Sequence, residues 1–274
     1  MSDELVITVA GVGAEVTRAQ QPCLPLLPNE VAEEYRRSHE AGAAIAHVHG
    51  RRPDGTPTQD LETFRAYEAA IRSRSPILLQ FSTGGAVGMG VEERIAALEL
   101  KPEMATLTLG TCNFGDEVFE NSIPTIRTIL ERIRRFGITP ELEIFDDGML
   151  ATADALIARG LLAPPLHFDF VLGVPGAAAA TPENLLHFAR SIPSGCTWTA
   201  AGIGRHQTRL ATMAVAMGGH VRVGFEDNIY YRRGELADSN ARFVERIVRI
   251  AREVGRQPAN IDQARSLLHL RPAA

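Results

Sequence analysis

Ala43-Ala-Ile-Ala-His-Val-His49 is the stretch on which the fold reading turns. It is short and almost wholly apolar, and the turn formers Gly50-Arg-Arg-Pro-Asp-Gly-Thr-Pro57 follow at once. That pattern reads as a buried strand running into a loop. Ahead of it, residues 30–41 read as a helix capped by Asn29 and closed by Gly42. Behind it, Asp60 opens a helix that runs to about residue 74. Strand, loop and helix form one unit.

The same unit recurs along the chain. Residues 5–10, 44–49, 76–81, 104–109, 139–145, 166–172, 195–200 and 220–225 read as strands. Helical patterns follow each of them, over 30–41, 60–74, 91–100, 122–136, 148–159, 182–190, 207–217 and 240–255. A short last helix is expected near 262–268. Eight alternating units in 274 residues predict a closed (β/α)8 TIM barrel, with 1–274 as a single domain. A doubly wound open sheet is the competing architecture, and the count of eight favours the barrel.

Composition excludes several classes. The formal net charge is −5 and aromatics are 6% of residues. Neither a basic surface nor a base-stacking platform follows from that, so no nucleic-acid partner is expected. Cys23, Cys112 and Cys196 are odd in number and far apart, which is neither a disulfide framework nor a CxxC metal site. No apolar run is long enough for a membrane span, and the first residues carry no signal-peptide pattern. The expectation is a cytoplasmic protein with no membrane partner.

Side chains alternate along a strand, so His47 and His49 share a face at the end of the second strand. Two imidazoles so placed suit a first-row metal, although they also serve simply as polar residues at a strand end. In a barrel the functional rim lies at the C-terminal ends of the strands. Those ends carry Glu15, His47, His49, Ser82, Thr83, Thr106, Thr108, Glu143, Asp146, Asp169, Arg205, His206, Arg222, Glu226 and Asp227. Barrel closure puts strand eight beside strand one, so Glu226 becomes a near neighbour of the histidines and a candidate third ligand. His167 and Asp169 on strand six are the competing donors. Arg222, Glu226 and Asp227 can divide the work among charge modulator, ligand and base, or merely form an ion-pair cluster. Ser82 and Thr83 read as ligand-contacting hydroxyls, since no serine-hydrolase elbow surrounds them. Gly202-Ile-Gly-Arg205 lacks the third glycine of a dinucleotide fingerprint.

Further stretches include Gly13-Ala-Glu-Val-Thr17, Ser82-Thr-Gly-Gly-Ala-Val-Gly-Met89, Gly110-Thr-Cys-Asn-Phe-Gly115, His167-Phe-Asp-Phe-Val-Leu-Gly173 and Gly218-Gly-His-Val-Arg-Val-Gly-Phe-Glu-Asp-Asn228. With the histidine strand, these stretches resemble the β-keto acid cleavage enzymes over nearly the whole chain. The resemblance implies a (β/α)8 fold, one Zn2+ per subunit and a cytoplasmic homotetramer. It implies a reaction in which a β-keto acid and acetyl-CoA, as co-substrate, give acetoacetate and a new CoA thioester. The substrate it points to is 3-keto-5-aminohexanoate, an intermediate of lysine fermentation. By position it makes His47, His49 and Glu226 the zinc ligands and Asp227 the base, tuned by Arg222 and Glu143. It also makes Ser82 and Thr106 substrate or metal-shell hydroxyls, and Glu15 the partner of the substrate's amino group. The chain departs from many relatives at Ala10-Gly-Val-Gly13, where a threonine hydroxyl is missing. A metal-dependent aldolase or hydrolase needing no CoA is the rival reading of the same residues.

Overall fold

The structure, a computed structural model, describes residues 3–270. The first two and last four residues of the expected domain lie outside the described residues. Eight parallel strands close into a barrel: β1 (Ile7–Ala10), β2 (Ile45–Val48), β3 (Leu78–Phe81), β4 (Met104–Thr108), β5 (Thr139–Ile144), β6 (His167–Leu172), β7 (Thr197–Gly202) and β8 (His220–Val223). Each pairs with its neighbours in sequence, and β8 returns to β1 through Val221–Ile7, Arg222–Thr8 and Val223–Val9. The expected (β/α)8 barrel is the observed architecture.

The strands are short and buried on both faces, which is why they read as near-continuous apolar runs. The connecting helices are α1 (Pro28–Ala41), α2 (Leu61–Arg72), α3 (Val91–Arg94), α4 (Ile123–Phe136), α5 (Asp147–Ala158), α6 (Pro182–Ser191), α7 (Gln207–Met217) and α8 (Ala241–Glu253). Their buried faces follow helical spacing. In α8, Phe243, Val244, Ile247, Val248 and Ala251 turn inward. In α4, Ile126, Ile129, Leu130 and Ile133 do so, and Gly137 at φ 70° ends the helix in the left-handed conformation that glycine adopts without strain. The last helix, α9 (Ile261–Leu267), has a structural task. Ala264, Leu268 and Leu270 cluster with Val6, Ile45, Leu78 and Met104, closing the end of the barrel away from the functional rim.

Some boundaries differ from the sequence reading. Asn29 does not cap α1; the helix starts at Pro28, whose fixed φ suits a first helical position. The Glu30 carboxylate accepts from the amides of Leu26 and Leu27 at 3.0 Å each, doing the capping instead. The helix expected over 91–100 is one α turn followed by a 3-10 segment, Ala96–Leu100. Arg94 is turned inward there, donating to Thr83 O, Glu120 O and Asn121 Oδ1. Three rim loops contain small hairpins that read as plain loops: Gly50–Arg51 with Pro57–Thr58, Cys112–Phe114 with Glu117–Phe119, and Tyr230–Arg232 with Glu235–Leu236. Among the described residues no helix is long and apolar enough to cross a membrane.

Candidate active site

His47 lies near the end of β2 and His49 just beyond it, with ring centroids 5.2 Å apart. Glu226 reaches them from the turn after β8. Its Oε1 is 3.5 Å from His47 Nε2 and 3.5 Å from His49 Nε2. One ligand atom from each of the three residues lies within 4.8 Å of the others. His47 is fully buried, and its Nε2 and the Glu226 Oε2 make no hydrogen bond. A bare buried imidazole nitrogen and carboxylate oxygen, with the His49 ring beside them, suit a zinc-like cation, so this set fits a metal ion. His47 Nδ1 is 2.7 Å from Gln80 Oε1, and Tyr35 OH donates to the His47 carbonyl at 2.5 Å. Backbone and ring are both fixed.

The turn that delivers Glu226 is tightly pinned. Glu226 N donates to Ala10 O at 3.1 Å, Phe225 N to Asn240 Oδ1 at 2.7 Å, and Gly204 N to Asp227 O at 2.6 Å. Two glycines make the approach possible. A Cβ on Gly224 (φ 151°) would lie 2.1 Å from Ala10 O, and one on Gly13 (φ 67°) 2.7 Å from Glu226 Cγ.

Arg222 organises the carboxylates. Its Nε donates to Asp227 Oδ2 at 3.1 Å and its Nη2 to Asp227 Oδ1 at 2.9 Å, a bidentate grip. Nη2 also reaches Glu226, while Nη1 faces Asp169 Oδ2 at 3.4 Å and Glu143 Oε1 at 3.5 Å. Glu143 is further held by the Thr108 hydroxyl at 2.6 Å. Burial opposes the Arg222 charge, but the surrounding carboxylates keep it firmly protonated. Burial also pushes the Asp227 carboxyl above its usual range, reinforced by the charge of Glu226 and only partly offset by Arg222. Glu226 goes the other way: against the cost of burial, Arg222, His49 and His47 hold it well below the usual range. Two adjacent carboxylates are thereby split into a persistent anion and a better proton acceptor.

A cavity of about 390 Å³ opens over these groups. His49, Glu143, Arg222, Glu226, Asp227, Glu15 and Ser82 line it. Phe114, Phe119, Phe145, Val171 and Ile203 supply an apolar wall. Ser82 Oγ accepts from Gly84 N at 3.1 Å, which leaves its hydroxyl proton free to donate. Thr83 and Thr106 do not join the cavity. Both are fully buried and bonded to each other, Thr83 Oγ1 to Thr106 O at 2.8 Å and Thr83 N to Thr106 Oγ1 at 3.1 Å. Substrate contact by either hydroxyl does not fit this placement; they join the end of β3 to β4. The competing donors of β6 are not part of the cluster either. His167 is engaged by Thr197 at 2.8 Å, Thr199 at 3.1 Å and Glu141 at 3.2 Å, and Asp169 faces Arg222.

Sequence reasoning passed over several supporting residues. Arg51 is almost fully buried and donates to Gly13 O, Val16 O and Gly55 O at 2.9, 2.7 and 2.7 Å, fixing the loop that carries Glu15. Gln80 and Asn240 orient His47 and the Glu226 turn. An arginine in a turn-rich loop or a glutamine inside a strand carries no local signal; Gly13 at least stood in a conspicuous glycine pair.

Fold and site together define a class: a (β/α)8 barrel enzyme whose rim can seat a cation beside a buried proton acceptor. Comparison with known proteins narrows it. The family model described as beta-keto acid cleavage enzyme matches residues 4–270, and the chain belongs to that family. It is 50% identical over 273 residues to the 3-keto-5-aminohexanoate cleavage enzyme of Fusobacterium nucleatum subsp. nucleatum, covering 99% of this chain and 100% of that protein. It is 36% identical over 274 residues to the 3-oxoadipate:acetyl-CoA acetyltransferase of Cupriavidus necator, covering 98% of this chain and 96% of the other. Among solved structures, the ternary complex of ObcA with a C4-CoA adduct and oxalate superposes with a TM-score of 0.79 at 20% identity, over 91% of this chain and 68% of that one. That likeness concerns the fold alone.

Proposed function

We propose that this enzyme condenses a β-keto acid with acetyl-CoA, giving acetoacetate and a new acyl-CoA. Its β-keto acid is 3-keto-5-aminohexanoate and its second product 3-aminobutyryl-CoA. One observation carries the reading. In a chain of the beta-keto acid cleavage family, a His-His-Glu donor set reaches, through His49 and Glu226, the same cavity as a buried carboxylate gripped by an arginine.

His47, His49 and Glu226 would hold the ion, Zn2+. Bound there, it supplies Lewis-acid polarisation of the substrate's carbonyl and so eases loss of the neighbouring proton. Asp227 takes that proton from the carbon between the keto and carboxylate groups. Its burial makes it a better acceptor than an exposed aspartate, and the two-point grip of Arg222 fixes its direction. Glu143 accepts a hydrogen bond from the Thr108 hydroxyl and faces Arg222, which keeps the arginine centred. The carbanion attacks the acetyl thioester and expels the CoA thiolate. The thiolate then attacks the original keto carbon, the carbon–carbon bond breaks, and the departing acetoacetate carbanion recovers a proton. The apolar wall excludes water, which would otherwise hydrolyse the thioester. The Ser82 hydroxyl donates to the substrate, and Glu15 at the cavity mouth pairs with its amino group.

The assembly is a cytoplasmic homotetramer, and the reaction belongs to lysine fermentation. The test is direct. Purified protein is incubated with the amino-bearing β-keto acid, with and without acetyl-CoA, and products are read by mass spectrometry. Acetoacetate and the new thioester, formed only with acetyl-CoA and lost on chelation, support the reading. Cleavage without acetyl-CoA would favour the aldolase or hydrolase alternative.

A further inference from the structure

Gln80 lies within β3 beside His47 of β2, and its side chain is fully buried. Its Oε1 stands 2.7 Å from His47 Nδ1. An amide oxygen can only accept, so Nδ1 carries the proton and the lone pair is left on Nε2. Nε2 is the nitrogen that faces Glu226. With the amide reversed, its NH2 would donate to Nδ1, the ring proton would move to Nε2, and that nitrogen could not bind an ion. The direction of one buried amide therefore decides whether His47 can serve as a ligand.

Gln80 Nε2 makes no hydrogen bond, so what holds the amide is the contact of its Oε1 with His47 Nδ1.

We propose that Gln80 is a positioning residue: it holds His47 in the Nδ1–H form that leaves Nε2 free. The inference rests on the reading of His47, His49 and Glu226 as a cation site. It adds one residue that touches neither ion nor substrate.

The test uses metal-free full-length protein, with histidine 15N NMR at alkaline pH and titration with Zn2+ or Co2+. Wild type should show His47 as the Nδ1–H tautomer and bind one ion. Gln80→Leu should bind about 10- to 100-fold more weakly. A wild-type His47 protonated at Nε2 overturns the proposal without need of any variant. So does a folded Gln80→Leu protein with wild-type affinity and an unchanged tautomer. Wild-type protein that binds no ion overturns the cation-site reading itself, which separates the two failures.

Discussion

Arg222 grips Asp227 at two points, Nε to Oδ2 at 3.1 Å and Nη2 to Oδ1 at 2.9 Å, and offers its other nitrogen to Glu143 and Asp169. The grip fixes where the Asp227 lone pairs point, while burial keeps that carboxyl above its usual range. Asp227→Asn preserves volume and an acceptor oxygen for Arg222 but removes the proton acceptor. Its kcat should fall by about 10²- to 10⁴-fold. Metal content and melting temperature should stay close to wild type. Steady-state kinetics with metal analysis on the same preparation would check this; normal turnover in the variant would rule Asp227 out as the base.

Glu15 is exposed at the cavity mouth, on a loop that Arg51 fixes through Gly13 O and Val16 O. In the proposed function its charge selects among substrate tails. Glu15→Gln should lower kcat/KM for an amino-bearing β-keto acid by roughly 5- to 30-fold, a modest factor because water screens the contact. A β-keto acid with a neutral tail should be almost unaffected. Equal losses on both substrates would remove Glu15 from substrate selection.

Gly13 gives Glu226 its room. At φ 67° a non-glycine residue is strained, and a Cβ there would sit 2.7 Å from Glu226 Cγ. Gly13→Ala should cost about 1–3 kcal/mol of stability and displace Glu226. Metal affinity should therefore drop while His47 and His49 remain in place. Denaturant melts and metal titration of the variant measure the two effects separately.

How much of this was legible in the sequence follows from the range of each signal. The eight strands announced themselves because strands buried on both faces read as apolar runs, and counting them predicted closure. Closure alone brought Glu226 to His47 and His49. The small hairpins escaped because pairings two or three residues long leave no periodicity. Thr83 and Thr106 stood at strand ends like Ser82, but a strand end does not say whether a hydroxyl turns to the cavity or to the neighbouring strand; here they bond each other. Gln80 in Leu78-Leu-Gln-Phe81 is one polar residue in an apolar run, and only the β2–β3 register reveals that it faces His47.

His220 makes the fold sensitive to acid. It is buried at the start of β8, where its Nδ1 accepts the Val6 amide at 3.1 Å. Burial, with lesser contributions from His167 and Arg256, pushes its pKa down to about 3. The unfolded chain takes up that proton near pH 6.5 while the folded one does not, so stability is full above that value. It falls with pH between about 6.5 and about 3, at up to about 1.4 kcal/mol per pH unit from this group. His220→Asn keeps an acceptor for Val6 without titrating. Urea melts from neutral to pH 4 should show a shallower decline in the variant; parallel declines would count against His220.

The central claim is that acetyl-CoA's acetyl group ends in acetoacetate while the remainder of the β-keto acid leaves as the new thioester. Acetyl-CoA labelled with 13C at its carbonyl follows the atoms directly. The label should appear at the keto carbon of acetoacetate, with none in the new acyl-CoA. Unlabelled acetoacetate, or label retained entirely in unconsumed acetyl-CoA while the β-keto acid is cleaved, would contradict the account.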